Sequence, residues 1–140
     1  VATITAIRRG IAANLTQLGT NLGIQVSAYA LANPTPPTIQ VLPGEVVYDR
    51  AMHRGLDDLT FLVQALVQYG SDIGSQKRLD ELLDPTGPKS LKTAVESDST
   101  LGGIVSDVSV TNATGYRVAQ GANGPILLCE WSVQVMAQNP

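Results

Sequence analysis

The sequence predicts an α+β fold in a single domain spanning residues 1–140: a mainly antiparallel β-sheet with an N-terminal helix and two central helices packed on it, plus a projecting β-hairpin. Three observations predict it. Apolar residues recur at spacings of three and four from Ile4 to Leu22, the period of an amphipathic helix. Alternation over residues 59–67 and 127–135 has the period of strands with one covered face. Between those two strands, residues 71–101 carry helical spacing punctuated by serine, proline and glycine.

The elements follow in order. Ile4, Ile7, Ile11, Leu15, Leu18 and Leu22 share one face of the first helix, with Thr3 or Thr5 to cap its start and Gly19 or Gly23 to end it. Arg8 and Arg9 fall toward its polar side. Ile24 to Ala30 alternates as a half-buried strand. Asn33-Pro34-Thr35-Pro36-Pro37 then forces a loop or an edge, because proline cannot donate to a ladder. Alternation resumes at Thr38 to Leu42, Pro43-Gly44 predicts a turn, and Glu45 to Asp49 reads as another strand. After a polar tip, Leu59, Phe61, Val63, Ala65 and Val67 mark a strand.

Ser71 is placed to cap a helix holding Ile73, Leu79, Leu82 and Leu83, which stops near Pro85-Thr86-Gly87. Pro88 suits the first position of a further short helix with Leu91 and Val95 inward, ended by Gly102-Gly103. Ile104, Val108 and Val110 begin a strand, Asn112 to Gly115 predict a turn, and Tyr116 to Ala119 pair back. In the final strand Leu127, Cys129, Trp131, Val133 and Val135 face one side and Glu130, Ser132 and Gln134 the other.

Composition narrows function. Apolar residues make up 44% of the chain, enough for a real core, while charged residues make up only 15%, against ~25% in an average soluble domain. So charge-poor a surface resists association weakly, which points to extensive burial against other proteins. Residues 1–54 carry a net charge of +2 and residues 55–140 a net charge of −5. No basic cluster is dense enough to grip phosphates, so nucleic-acid binding is not the expected main task. A lone cysteine, Cys129, excludes an internal disulfide and a cysteine-based zinc site. The first residues lack the basic-then-apolar run of a secretory signal, and no stretch approaches the ~20 apolar residues of a membrane span.

Reactive chemistry is scarce. His53 is the sole histidine, so a catalytic triad or a histidine-pair metal site lacks parts. It lies in Asp49-Arg50-Ala51-Met52-His53-Arg54-Gly55-Leu56-Asp57-Asp58, a polar bend between two strands. Tyr48 and Met52 sit there beside charges of both signs, so Tyr48, Asp49, Arg50, Met52, His53, Arg54, Asp57 and Asp58 form a candidate protein-contact site; a solvated loop tip is the plain alternative. Asp49, Asp57 and Asp58 match no calcium-loop spacing, and Arg50 and Arg54 compete for them, so no metal is expected. Asp80, Glu81 and Asp84 beside Lys77 and Arg78 read as a solvated helix face. Cys129, flanked by apolar residues and Trp131, reads as a small buried hydrophobe. No catalytic residue, cofactor site or enzymatic activity is expected.

The order of these elements, with the proline-rich stretch at 33–37, the hairpin from Pro43-Gly44-Glu45-Val46-Val47 to Leu59-Thr60-Phe61-Leu62-Val63, the helix opening Ser71-Asp72-Ile73-Gly74-Ser75-Gln76 and the closing Glu130-Trp131-Ser132-Val133-Gln134-Val135, resembles the tail terminator (tail completion) proteins of long-tailed bacteriophages. The resemblance covers nearly the whole chain, through an order of elements and a few phrases, with no catalytic signature. It implies a structural virion protein at the head-proximal end of the tail, assembled in the host cytoplasm. It further implies a six-membered homo-oligomeric ring that ends the tail tube and meets the head-closure or connector protein. DNA would pass through its lumen without specific binding. In that reading the Tyr48–Asp58 tip touches a neighbouring subunit or the tail tube protein. Two rivals remain at this stage: another neck ring protein, and a cellular α+β binding module.

Overall fold

The computed structural model describes residues 3–29, 38–47, 56–68, 73–87, 89–98, 100–121 and 124–138. Among these, a five-stranded sheet with strand order β1-β2-β3-β5-β4 carries three α-helices, so the expected α+β class holds. Helix α1 spans Ile4–Leu22, followed by β1 (Gln25–Ser27), β2 (Thr38–Val47) and β3 (Leu56–Gln68). Helices α2 (Gly74–Leu83) and α3 (Leu91–Val95) precede the long hairpin of β4 (Asp107–Gly121) and β5 (Gly124–Gln138). All neighbouring strands pair antiparallel except β1, which runs parallel to β2.

Local sequence explains α1. Thr3 Oγ1 accepts from the Ala6 N–H at 3.1 Å, satisfying one of the amides orphaned at a helix start. At the other end Gly23 takes φ 69°, a left-handed conformation that glycine adopts without strain, and its N–H and that of Ile24 both return to the Gly19 carbonyl. Ile7, Ile11, Leu15 and Leu18 are buried along the predicted face. The helix rests beside β1 and over β2, and α2 rests over β3 and β5, while α3 lies against α1 and β4.

The core lies between these helices and one face of the sheet. Leu59, Phe61, Val63, Ala65 and Val67 of β3 and Leu127, Cys129, Trp131, Val133 and Val135 of β5 are all buried there. Full burial of each such aliphatic or aromatic side chain stabilises by about 1.5–3 kcal/mol, which makes the two central strands the spine of the fold. Leu79 and Leu82 of α2, and Leu91 and Val95 of α3, close the cluster from above.

The structure corrects four local readings. Pro43-Gly44 does not turn the chain: β2 runs on through it, with a shift of register between Pro43 and Val46. The long partner strand β3 pairs on both sides, so the residue without an N–H is absorbed as a bulge. Gly44 fits because a Cβ there would come 2.5 Å from the Thr60 carbonyl oxygen. Likewise Asn112 to Gly115 is not a turn. The strand β4 continues along β5, taking up extra residues in register shifts at Val110/Asn112 and Thr114/Arg117, with Gly115 at φ 73°. Ile73 is not inward but 63% exposed at the N-cap of α2, and Ile104 is also exposed. Finally, α3 starts at Leu91, where Ser90 Oγ accepts from the Thr93 N–H. Ser71, Pro88 and the segment 33–37 lie outside the described residues.

Candidate interaction surface

Of the predicted contact residues, Tyr48, Asp49, Arg50, Met52, His53 and Arg54 lie outside the described residues. Asp57 and Asp58 belong to β3 rather than to a loop tip: Asp57 is in register with Ala137, and Asp58 with both Val47 and Met136. Both Asp58 carboxylate oxygens lie 3.0 Å from the Gln134 amide nitrogen, which donates from the next strand. On α2, Glu81 pairs at 2.9 Å with Lys89 from beyond the helix, an exposed pair of small energy.

With all three helices on one side, the other face of the sheet is covered by no described helix. The period of two sends to it the residues that sequence reading left as gaps. One row across the strands is a polar ladder. Gln40 Nε2 donates to Gln64 Oε1 at 2.6 Å, Gln64 Nε2 donates to Glu130 Oε1 at 3.5 Å, and Arg117 Nη2 meets the same oxygen at 3.3 Å. The rows on either side place Leu66 beside Leu128 and Leu62 beside Ser132. Gln40, Leu66 and Leu128 on this face are nonetheless buried, so part of it is already covered within the chain, and its Arg117 is tied to a carboxylate.

The two edges of the sheet are each capped in part by a side chain. At the first, β1 stops pairing at Gln40 of β2. One residue further, the Val41 carbonyl accepts from Arg8 Nη2 at 3.0 Å, and Arg8 Nε donates to the Ala28 carbonyl at 2.9 Å. The guanidinium also lies 4.7 Å from the ring centre of Tyr29. At the second edge, the Val110 N–H of β4 points away from β5 and donates to Glu96 Oε2 at 2.8 Å. Lys92 Nζ holds the other oxygen at 2.6 Å. Burial pushes the Glu96 carboxyl up, but its hydrogen bond to Lys92, the Val110 N–H and the Lys92 charge together hold it below the ordinary value. Past this cap, residues 111–118 of β4 are all exposed, and Val118 is 51% exposed.

Beside β1, the last two turns of α1 leave an open cleft of about 420 Å³ lined by Thr16, Gly19, Thr20, Gly23 and Val26 among others. A Cβ on Gly19 would lie 2.6 Å from the Ile24 carbonyl oxygen, so the glycine lets the helix approach the strand closely.

Sequence reading did not find Arg8 or Glu96 as edge caps. The signals were faint: Arg8 stands one turn after Ile4 on the flank of the apolar stripe, and Glu96 stands four residues after Lys92. The assignment of Cys129 as a buried hydrophobe is sound, since it is 1% exposed and burial pushes its thiol pKa up. Among the described residues no group of three histidine, cysteine, aspartate or glutamate side chains is placed to hold a metal. No described helix is long and apolar enough to cross a membrane. No protein-family model matches the sequence, and no curated protein matches it either.

Proposed function

We propose that this chain is a non-enzymatic structural subunit of a long-tailed bacteriophage virion. In this reading six copies form a ring that ends the tail tube and joins the tail to the head connector, with DNA passing through the centre. The observation that carries the reading is the one-sided architecture. Every described helix packs on one face, and at the β4 edge of the sheet residues 111–118 are all exposed, a strand edge open to other proteins. The charge-poor composition supports the same conclusion. The net charge of −5 over residues 55–140 suits a lumen that lets a polyanion slide past without holding it.

Electron microscopy of the purified protein, with and without tail tubes, tests this. Six-fold rings seated on tube ends are the expected result. Rings that bind DNA-filled heads and ignore tubes would assign the chain to another neck component instead. A solitary chain indifferent to tubes and heads would end the structural reading altogether.

A further inference from the structure

A long, regular edge strand is a template on which other chains add strands, because its outer N–H and C=O groups repeat at a strand's spacing. Strand β4 is 15 residues long and has no described strand beyond it, yet its outer row is not regular. Relative to β5, one extra residue lies between Val110 and Asn112, and another between Thr114 and Arg117. Each bends the strand and interrupts the alternation of outward groups. The first bulge is fixed by its own side chain, since Thr111 Oγ1 donates to the Ser132 carbonyl at 3.3 Å. The second holds Gly115 at φ 73°, well outside the extended range of a paired strand.

Backbone groups at both interruptions are already held from within the chain. Before the first, the Val110 N–H donates to Glu96 Oε2 at 2.8 Å. At the second, the Gly115 carbonyl accepts from Arg117 Nη1 at 3.0 Å, while Arg117 Nη2 is anchored on Glu130 at 3.3 Å. A strand laid alongside would have to break these bonds and straighten both bulges before it could pair. The opposite edge is blunted by length instead. Strand β1 has three residues, and the Val41 carbonyl just past its pairing with β2 accepts from Arg8.

We infer that Glu96 and Arg117, with the two bulges they flank, guard the β4 edge against strand addition. A second copy, or any other extended chain, meets this edge through the exposed side chains of residues 111–118 and not through a backbone ladder. The chain is thereby kept from growing sheet to sheet by itself while the edge stays accessible. The guard goes beyond the ring reading and does not depend on it, since a ring made through side chains leaves the outward amides of β4 without a partner strand.

Amide exchange followed by NMR at rising protein concentration tests it, on wild type and on two variants. One combines Glu96→Ala with Arg117→Ala. The other deletes Thr111 and Gly115, which restores a residue-for-residue register of β4 with β5. Circular dichroism and thermal melting establish that each is folded; should the deletions prevent folding, the substituted variant decides alone. In wild type, exchange over residues 107–118 is expected to be the same at micromolar and millimolar protein. In a folded variant, amides of this stretch are expected to gain roughly tenfold protection over that range, with oligomers in sedimentation. The Val110 amide of the substituted variant should exchange fast when dilute and slowly when concentrated. Wild-type β4 amides that gain protection with concentration would overturn the guard, because the edge would then pair with every device in place. Folded variants that gain none would overturn it too, because removing the devices would have released nothing. Wild-type oligomers whose β4 amides exchange as in the monomer uphold it; whether rings seat on tube ends is read separately by microscopy.

Discussion

Glu96 shows how one carboxylate links local folding to the shape of the sheet. Its two oxygens are divided between Lys92, one turn back along the chain, and the outward N–H of Val110. The amide is thereby satisfied without a neighbouring strand, and the edge is closed at that point. Because Glu96 is held below its ordinary value of 4.5, its contribution is full above that value and is lost as pH falls through the folded pKa. Thermal melts of wild type and Glu96→Gln should therefore differ at pH 7 by about 1–2 kcal/mol in favour of wild type, the scale of a partly exposed charge-assisted hydrogen bond. The difference should shrink as the solution is acidified past the carboxylate range. An equal difference at pH 3 and pH 7 would show that shape, not charge, is what the glutamate supplies.

At the scale of the element, what could be read in the sequence depended on whether one period governed a segment. The helix from Ile4 to Leu22 and the strands through Phe61 and Trp131 were legible because a single covered face set every second or every third and fourth position. Turns were misread where long partners overrode local signals: Pro43-Gly44 and Asn112 to Gly115 are turn sequences, yet β3 and β5 hold them straight and absorb them as bulges. Arg8 was misread for a related reason. On a helical wheel it is polar, but two carbonyls from separate segments of the chain converge on it, and no spacing along one segment records that. The guanidinium thus ties α1 to β2 and to the residue just past β1 at once. Arg8→Ala should cost about 2 kcal/mol, lowering Tm by roughly 5–10 °C. Arg8→Lys should recover less than half of that, because an ammonium lacks the planar fork that reaches both carbonyls. A lysine variant that melts with wild type would show that charge alone holds the corner.

On the scale of the whole molecule, the predicted contact site and the sheet edges are separate candidates for contact, each with its own test. The edges lie along the sides of the sheet, where copies can join laterally, whereas residues 48–55 stand between β2 and β3 in the sequence. Their assignment rests on composition alone: charges of both signs beside Tyr48 and Met52. Its test is a deletion that spares the paired register. Joining Asp49 directly to Leu56 leaves a short connection between Val47 and Asp58, the outermost pair of β2 with β3, and hairpins close readily over loops of that size. The β3–β5 register from Asp58 inward holds the core residues, so the shortened chain should melt within a few degrees of wild type. If the tip meets a neighbouring subunit or the tail tube, rings on tube ends should vanish from electron micrographs while the soluble chain stays folded. Intact rings from the shortened chain would remove Arg50, Met52, His53 and Arg54 from the interface and leave assembly to the rest of the chain.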